Sequence, residues 1–287
     1  MQIVDVIATG LETATELDEP AARVSKAVSK LTHRPGVSSV LSGTVLGHPL
    51  HPVLTDLPIG FWSSSFFLDL LPGSSTRRIS QAFVGLGILT AIPTALTGAS
   101  DWADTEGSPR RVGLVHGALN SAGLVCYTGS WVARRRGHHL RGVLYGMVGA
   151  TAMTAAAALG GHLVYRLGTG VDNNAFDAGP DEFTVADRDA PPTPLPGAVE
   201  GSLVKVAGAP VLVTRAGGLW RGIGARCSHR GGPLEEGRFA DDCVTCPWHQ
   251  SRFRLSDGSI VDGPAIAPQP RYEVRAEGDS FTARRAR

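Results

Sequence analysis

Two short stretches toward the C-terminal end carry the residue types that bind soft metals. Cys227-Ser-His229 and Cys246-Pro-Trp-His249 are separated by sixteen residues, so the ligand pattern is C-x-H followed by C-x-x-H. Thiolate together with imidazole suits zinc or an iron–sulfur centre. The order of the ligands separates the two. A zinc finger usually places two Cys on one arm and two His on the other. Here each arm brings one of each, which serves a [2Fe–2S] cluster whose one iron takes both Cys and whose other iron takes both His.

The flanking residues sharpen the reading. Gly231, Gly232, Pro233 and Leu234 follow the first pair, and Gln250-Ser251-Arg252-Phe253 follow the second. Further on, Asp257-Gly-Ser-Ile-Val-Asp-Gly-Pro264-Ala forms a third motif. Together these resemble the Rieske iron–sulfur family over roughly the last third of the chain. The resemblance implies that Cys227 and Cys246 hold one iron, that His229 and His249 hold the other, and that the loop with Pro264 covers the cluster. It also implies that the outer imidazole nitrogens face solvent as the electron exit. High-potential members of the family add a disulfide between the ligand loops, and a Ser and a Tyr after the second His. This chain keeps the Ser, at Ser251, but has Phe253 in place of the Tyr and Trp248 in place of a disulfide Cys. It therefore resembles the ferredoxin type, with a potential in the lower half of the family range of roughly −150 to +300 mV. Of the other two cysteines, Cys243 reads as a buried small hydrophobe and Cys126 as packing in an apolar helix.

The elements that must position this centre fill a 287-residue chain, long enough for two domains. A net charge of +1 gives no case for a nucleic-acid partner, and four Cys, two of them ligands, make no disulfide framework. A strongly apolar half precedes a polar one rich in Pro and Gly. The expected fold is multidomain: an α-helical four-transmembrane bundle, then an all-β Rieske domain. The boundaries are an N-terminal amphipathic segment over 1–47, the bundle over 48–167, a Pro/Gly/Asp-rich linker over 168–197 and the β-domain over 198–287. No signal peptide is expected, since residues 1–10 lack a basic start and a cleavage site. Asp18 and Pro20 open a helix with Ala22, Val24, Val28 and Leu31 on one side and Lys26 and Lys30 on the other, fit to rest on a membrane surface or to pack on the protein. Four apolar segments follow: Val53 to Leu71, Ile79 to Ser100, Val112 to Val132 and Gly142 to Tyr165. The last three are free of formal charge and long enough to cross a bilayer. Short connections make them antiparallel neighbours. In the last part, runs at Leu203–Val206, Val211–Thr214, Leu219–Ile223, Cys243–Thr245, Arg252–Leu255 and Tyr272–Arg275 read as strands of a small sandwich or barrel.

Antiparallel crossings bring His48, His51, His116 and His162, with Asp56, toward one membrane face, the one carrying the β-domain. Ionisable groups at membrane helices point to function, and paired imidazoles from a bundle can hold haem iron. A haem b site, or a quinone or di-metal site, is the functional expectation; histidines bonded to backbone near helix ends are the structural alternative. The start Leu46-Gly-His48-Pro-Leu-His51-Pro also resembles a bacterial four-helix membrane family of undetermined function, over about residues 40–166. The linker is expected to let the head swing, or to lie as a strap on its surface. Arg77, Arg78, Arg134, Arg135, Arg136 and Arg141 fall in the first and third loops and favour the cytoplasm for them. The missing disulfide and the untranslocated tail favour the cytoplasm for the Rieske head instead, and the balance leans that way. The reading is a multi-pass bacterial cell-membrane protein that transfers electrons through a Rieske cluster, with a redox protein or a quinone and the lipid bilayer as partners. The alternatives are a small quinol oxidoreductase, or a Rieske ferredoxin on a passive anchor serving an oxygenase or reductase.

Overall fold

The computed structural model describes residues 3–34, 36–176, 179–186, 193–195, 201–216, 218–277 and 280–286. The chain divides into two units, Met1–Arg34 with Leu50–Thr169, and Pro35–Pro49 with Gly170–Arg287. Seven α-helices are present among the described residues: α1 (Ile3–Thr13), α2 (Asp18–Thr32), α3 (Val37–Ser42), α4 (Leu50–Asp69), α5 (Ser74–Ala103), α6 (Gly107–Arg135) and α7 (His139–Tyr165). All but α3 belong to the first unit.

The four long helices fall where the apolar runs predict. The shortest, α4, has 20 residues, which at 1.5 Å per residue is about 30 Å, the thickness of a bilayer's hydrocarbon core. Of the four, α5 and α7 are apolar enough along their length to cross a membrane. Helices α4 and α6 are less apolar; in α6, Gly, Ser and Asn120 dilute the apolar run, and Arg sits at both ends. Helix α4 packs along α5, α6 along α7, and α5 meets α6.

Close packing at the centre depends on glycine. Trp62 of α4 and Tyr127 of α6 stack with ring centroids 4.0 Å apart and planes 2° from parallel. A side chain at Gly87 would collide with Trp62, and one at Gly149 would press on Tyr127 at 3.0 Å. Toward one end, a buried ion pair joins the same two helices. Arg134 Nη1 and Nη2 donate to Asp69 Oδ1 and Oδ2 at 2.7 and 2.6 Å, with the side chains 2% and 6% exposed. Ser80 of α5 donates to Asp69 at 2.6 Å, and Ser130 Oγ accepts from Arg134 Nε at 3.1 Å and donates to Gly142 O of α7. All four helices meet in this network. Arg134, expected as a loop charge, is thus the last buried residue of α6, because a bidentate carboxylate and two hydroxyls satisfy its guanidinium.

The N-terminal helices pack on this bundle. Ser25 donates to Ala103 O at 3.0 Å, Arg111 bonds both carboxylate oxygens of Asp18, and His33 Nε2 lies 2.8 Å from the carboxylate of Asp104. The face of α2 that packs is small and partly polar: Ala21, Ser25 and Thr32 are buried. The apolar stripe behaves otherwise, with Val24 45% and Leu31 67% exposed. Small residues win the packed face because they let the helix approach α5 and α6 closely.

The second unit is a β-structure of two antiparallel sheets. One has seven strands in the order β1-β11-β10-β5-β4-β3-β2, built from β1 (Thr184–Val185), β2 (Thr193–Pro194), β3 (Gly201–Val206), β4 (Ala209–Ala216), β5 (Leu219–Gly224), β10 (Arg271–Glu277) and β11 (Ser280–Arg285). The other has four, in the order β6 (Arg238–Ala240), β7 (Cys243–Thr245), β8 (Arg252–Arg254) and β9 (Ile260–Asp262). Leu212, Ile223, Leu234, Val244 and Phe253 are buried in one core beside Cys227 and Cys246.

Two boundaries move. The described parts of the expected linker, 168–197, are strapped to the β-unit: β1 pairs with β11, β2 pairs with β3, and Asn174 is 2% exposed. Backbone pairing and the buried amide of Asn174 hold it down, and the stretch Ala190-Pro191-Pro192 lies outside the described residues. Likewise residues 36–49, expected as part of an N-terminal segment, pack on the β-unit through Ser39 and Thr44.

The buried Asp69–Arg134 pair generates a prediction. Asp69→Ala leaves a buried guanidinium unpaired and should cost about 3–5 kcal/mol, whereas Asp69→Leu combined with Arg134→Met should recover most of it. Thermal unfolding in detergent checks this; single and double variants that melt like the parent would refute it.

Candidate metal centre

The two ligand loops have the same backbone design. In the first, Cys227 N–H donates to Gly232 O at 2.9 Å and Gly231 N–H donates to Cys227 O at 2.7 Å. In the second, Cys246 N–H donates to Ser251 O at 2.8 Å and Gln250 N–H donates to Cys246 O at 3.2 Å. The residue four after each Cys is left-handed, Gly231 with φ 72° and Gln250 with φ 65°. Each loop therefore turns back on its own Cys and leaves the following N–H groups aimed at the sulfur.

Those N–H groups decide the charge the site accepts. The backbone amides of His229 and Arg230 point at Cys227 Sγ, and those of Trp248 and His249 point at Cys246 Sγ. The two thiols are free, nearly inaccessible and hydrogen-bonded to each other. The bond from Cys227 brings the Cys246 thiol down to about 7 against its burial, with the two amides helping, while the same bond and burial push Cys227 far up. The His229 and His249 rings face the same point edge to face, with centroids 5.1 Å apart, and Nδ1 of His229 is buried. Two sulfurs cradled by four N–H groups, with two imidazoles opposite, fit a cluster that carries negative charge on its sulfurs. Gly232 makes room: a Cβ there would lie 2.8 Å from Cys246 Sγ and 3.1 Å from the Trp248 ring.

A third loop braces both ligand loops. Ser251, fully buried, accepts from Ala265 N–H at 2.9 Å, which leaves its own proton for another acceptor. Ser228 donates to Ala267 O at 2.7 Å. Pro264 is buried within this loop, following a cis peptide. Trp248 is 55% exposed, so it lies at the rim and does not cover the centre. Cys243 is buried in β7 and Cys126 half-buried in α6.

Sequence reasoning missed three supports. Asn173 donates to His229 O at 3.2 Å and Asn174 to Arg226 O at 2.9 Å. Gln269, turned to satisfy its amide, accepts from Ser228 N–H and donates to Arg226 O, both at 2.8 Å. On the third loop, Ser39 accepts from Gly263 N–H at 2.7 Å and bonds Asp262, and Thr44 donates to Ala265 O at 2.7 Å. The amide pair Asn173-Asn174 inside a Pro/Gly-rich stretch was the available signal, since such residues seek backbone partners.

The histidines of the helical half separate. His51 Nδ1 bonds Thr94 O at 2.9 Å, and His116 Nδ1 bonds Ala156 O at 2.8 Å. His162 is buried, with Nε2 2.8 Å from a carboxylate oxygen of Glu12 of α1. Asp56 is exposed on α4. His48 belongs to the second unit, is exposed, and bonds Pro49 O. His51 and His116 remain as a half-buried pair, each bonded to a carbonyl of the neighbouring helix, α5 and α7 respectively.

The Rieske [2Fe-2S] domain family matches residues 195–273, and the family described as predicted membrane protein (DUF2231) matches residues 47–173. Ferredoxin CarAc of Metapseudomonas resinovorans is 30% identical over 80 residues, 28% of this chain and 75% of that one. Apoptosis-inducing factor 3 of Mus musculus is 32% identical over 74 residues, 26% of this chain and 12% of that one, so the chain spans about an eighth of that relative's length. The ferredoxin of carbazole 1,9a-dioxygenase from Nocardioides aromaticivorans IC177 overlaps 35% of this chain and 95% of its own, at 24% identity and TM-score 0.29. Fold and ligand loops define an iron–sulfur electron-transfer module joined to a helical domain of a predicted membrane family. The chain belongs to the Rieske [2Fe–2S] family.

Gly232→Ala should drive a methyl group into Cys246 Sγ and abolish cluster assembly. Iron and acid-labile sulfide on purified protein check it; a variant with parental content would contradict the close approach. His229→Ala should remove the Rieske electron paramagnetic resonance signal, and an intact signal would refute the ligand set.

Proposed function

We propose that this protein is a membrane-anchored, one-electron carrier that binds a [2Fe–2S] cluster through Cys227, Cys246, His229 and His249 and exchanges electrons with a redox partner. The observation that carries the reading is the pairing of the two thiols with each other and of the two imidazoles with each other at 5.1 Å on the same two loops, with four N–H groups aimed at the sulfurs. When bound, the cluster supplies one-electron chemistry. The chain's own part is to hold it: the amides offset charge on the sulfurs, Ser251 offers a hydroxyl proton toward the site, and the third loop shields it. Trp248, His249 and exposed Gln250 form a rim where a partner can approach.

The membrane side of the reading rests on α4 to α7 crossing a bilayer, of which α5 and α7 are the most apolar. In the reading they also carry a second redox group, in keeping with the paired imidazoles. The head faces the cytoplasm in this reading. The four cysteines form no disulfide, which suits a reducing compartment, and Arg134, bound by Asp69, drops out of the loop charges that favoured the opposite side. The quinol-oxidoreductase alternative loses support, because Asp56 is exposed and His162 is held by Glu12.

The buried Phe253 has no hydroxyl to strengthen the sulfur hydrogen bonding. A redox titration of the detergent-purified protein should give a one-electron midpoint below about +75 mV, the middle of the range −150 to +300 mV. A midpoint well above about +200 mV would overturn the ferredoxin-type assignment. The protein should stay with the membrane fraction after carbonate washing; release into the supernatant would refute the anchor.

A further inference from the structure

The four long helices are two copies of one helical hairpin. Starting from His51 of α4, Trp62, Ser65 and Asp69 follow; starting from His116 of α6, Tyr127, Ser130 and Arg134 follow at the same steps. The second helices repeat as well. Gly87, Thr94 and Gly98 of α5 have counterparts Gly149, Ala156 and Gly160 of α7 at identical spacing.

The contacts obey the same repeat. Trp62 packs on Gly87 as Tyr127 packs on Gly149. His51 bonds the carbonyl of Thr94, four residues before Gly98, and a Cβ at Gly98 would lie 2.5 Å from its ring. His116 bonds the carbonyl of Ala156, four residues before Gly160, and a Cβ there would lie 3.1 Å from its ring. Equivalent positions then meet each other. Trp62 stacks on Tyr127 and Asp69 pairs with Arg134, and His51 and His116 stand at equivalent positions further along the same two helices. Residues that contact their own counterparts mark a pseudo-twofold axis between the hairpins, and the third pair on that axis is the two histidines.

We propose that His51 and His116 are the two axial ligands of a haem iron held on this axis. A carbonyl accepts from Nδ1–H of each ring, which fixes the tautomer with its lone pair on Nε2, the form that binds a metal. At His116 the amide of Asn120 touches that lone pair at 3.1 Å, showing it to be an acceptor, and the same amide bonds His116 O at 3.0 Å, a contact it keeps when it yields the ring. Among the described residues no third His, Cys or carboxylate joins the pair within ligand reach. A bare first-row ion needs four to six donors, so two imidazoles leave it unsatisfied. A tetrapyrrole supplies four in-plane nitrogens and leaves two axial positions, which this pair matches. The glycines under each ring fix the ring planes.

This site deepens the electron-transfer reading above and relies on it only for its redox use, so the two fail separately. The full-length protein in detergent, titrated with hemin, should take up about one per chain with a six-coordinate low-spin spectrum. His51→Ala and His116→Ala should each weaken hemin binding at least about tenfold while the Rieske resonance stays unchanged, which also reports folding. His116→Gly should regain the spectrum on addition of imidazole. A parent protein that takes up no hemin, uptake unchanged in the variants, or binding of iron(II) or zinc(II) in place of hemin would each overturn the site. Loss of the Rieske signal in the parent would instead count against the electron-transfer reading.

Discussion

The β-unit is governed by the need to keep two sulfurs and two imidazoles at one point without letting water reach the sulfurs. Cysteine thiolates in a dry core are costly unless N–H donors surround them. The chain meets this with two loops of one design, each closing on its own Cys through a left-handed residue four positions later. Everything near the centre follows from that demand. Gly232 is small because Cys246 Sγ lies beside it, Ser228 and Ser251 tie the loops to the Pro264 loop, and Asn173, Asn174 and Gln269 occupy the carbonyls that the first loop leaves over. Even Ser39 and Thr44, two hundred residues away in sequence, are spent on Gly263 and Ala265.

The helical unit solves a different problem. Specificity among its helices comes from close packing and polar pairs. Glycines set the helix spacing under Trp62 and Tyr127, and the buried Asp69–Arg134 pair, with its serines, fixes the register of all four helices at one end. A single pair of opposite charges also makes the two hairpins unequal, so that each copy meets the other and not itself.

The Cys227-x-His229 and Cys246-x-x-His249 loops were legible because such chemistry demands fixed residue types at short spacing. Helices α4 to α7 were legible from apolar length. Six strands were read at or near their places, while β1, β2, β6 and β9 are two or three residues long and β11, Ser280 to Arg285, has too little apolar alternation to stand out. The choice between a swinging linker and a strap, and the brace from Ser39, could not be read because the partners are remote and a single sequence carries no pairing information. The repeat was visible in principle, as His51 and His116, Leu54 and Leu119, and Ser65 and Ser130 share one offset. It escaped because the stretch from Asp69 to Gly87 is three residues longer than the stretch from Arg134 to Gly149, so the offset changes midway through the hairpin.

The central claim is that one iron is bound by two cysteines and its neighbour by two histidines. Mössbauer spectroscopy of iron-57-enriched, oxidised full-length protein tests it most directly, since sulfur and imidazole surroundings give different isomer shifts. Two iron environments in equal amounts, becoming one ferric and one ferrous site on one-electron reduction, are the predicted result. A single iron environment in the centre, or zinc in place of iron, would contradict the account.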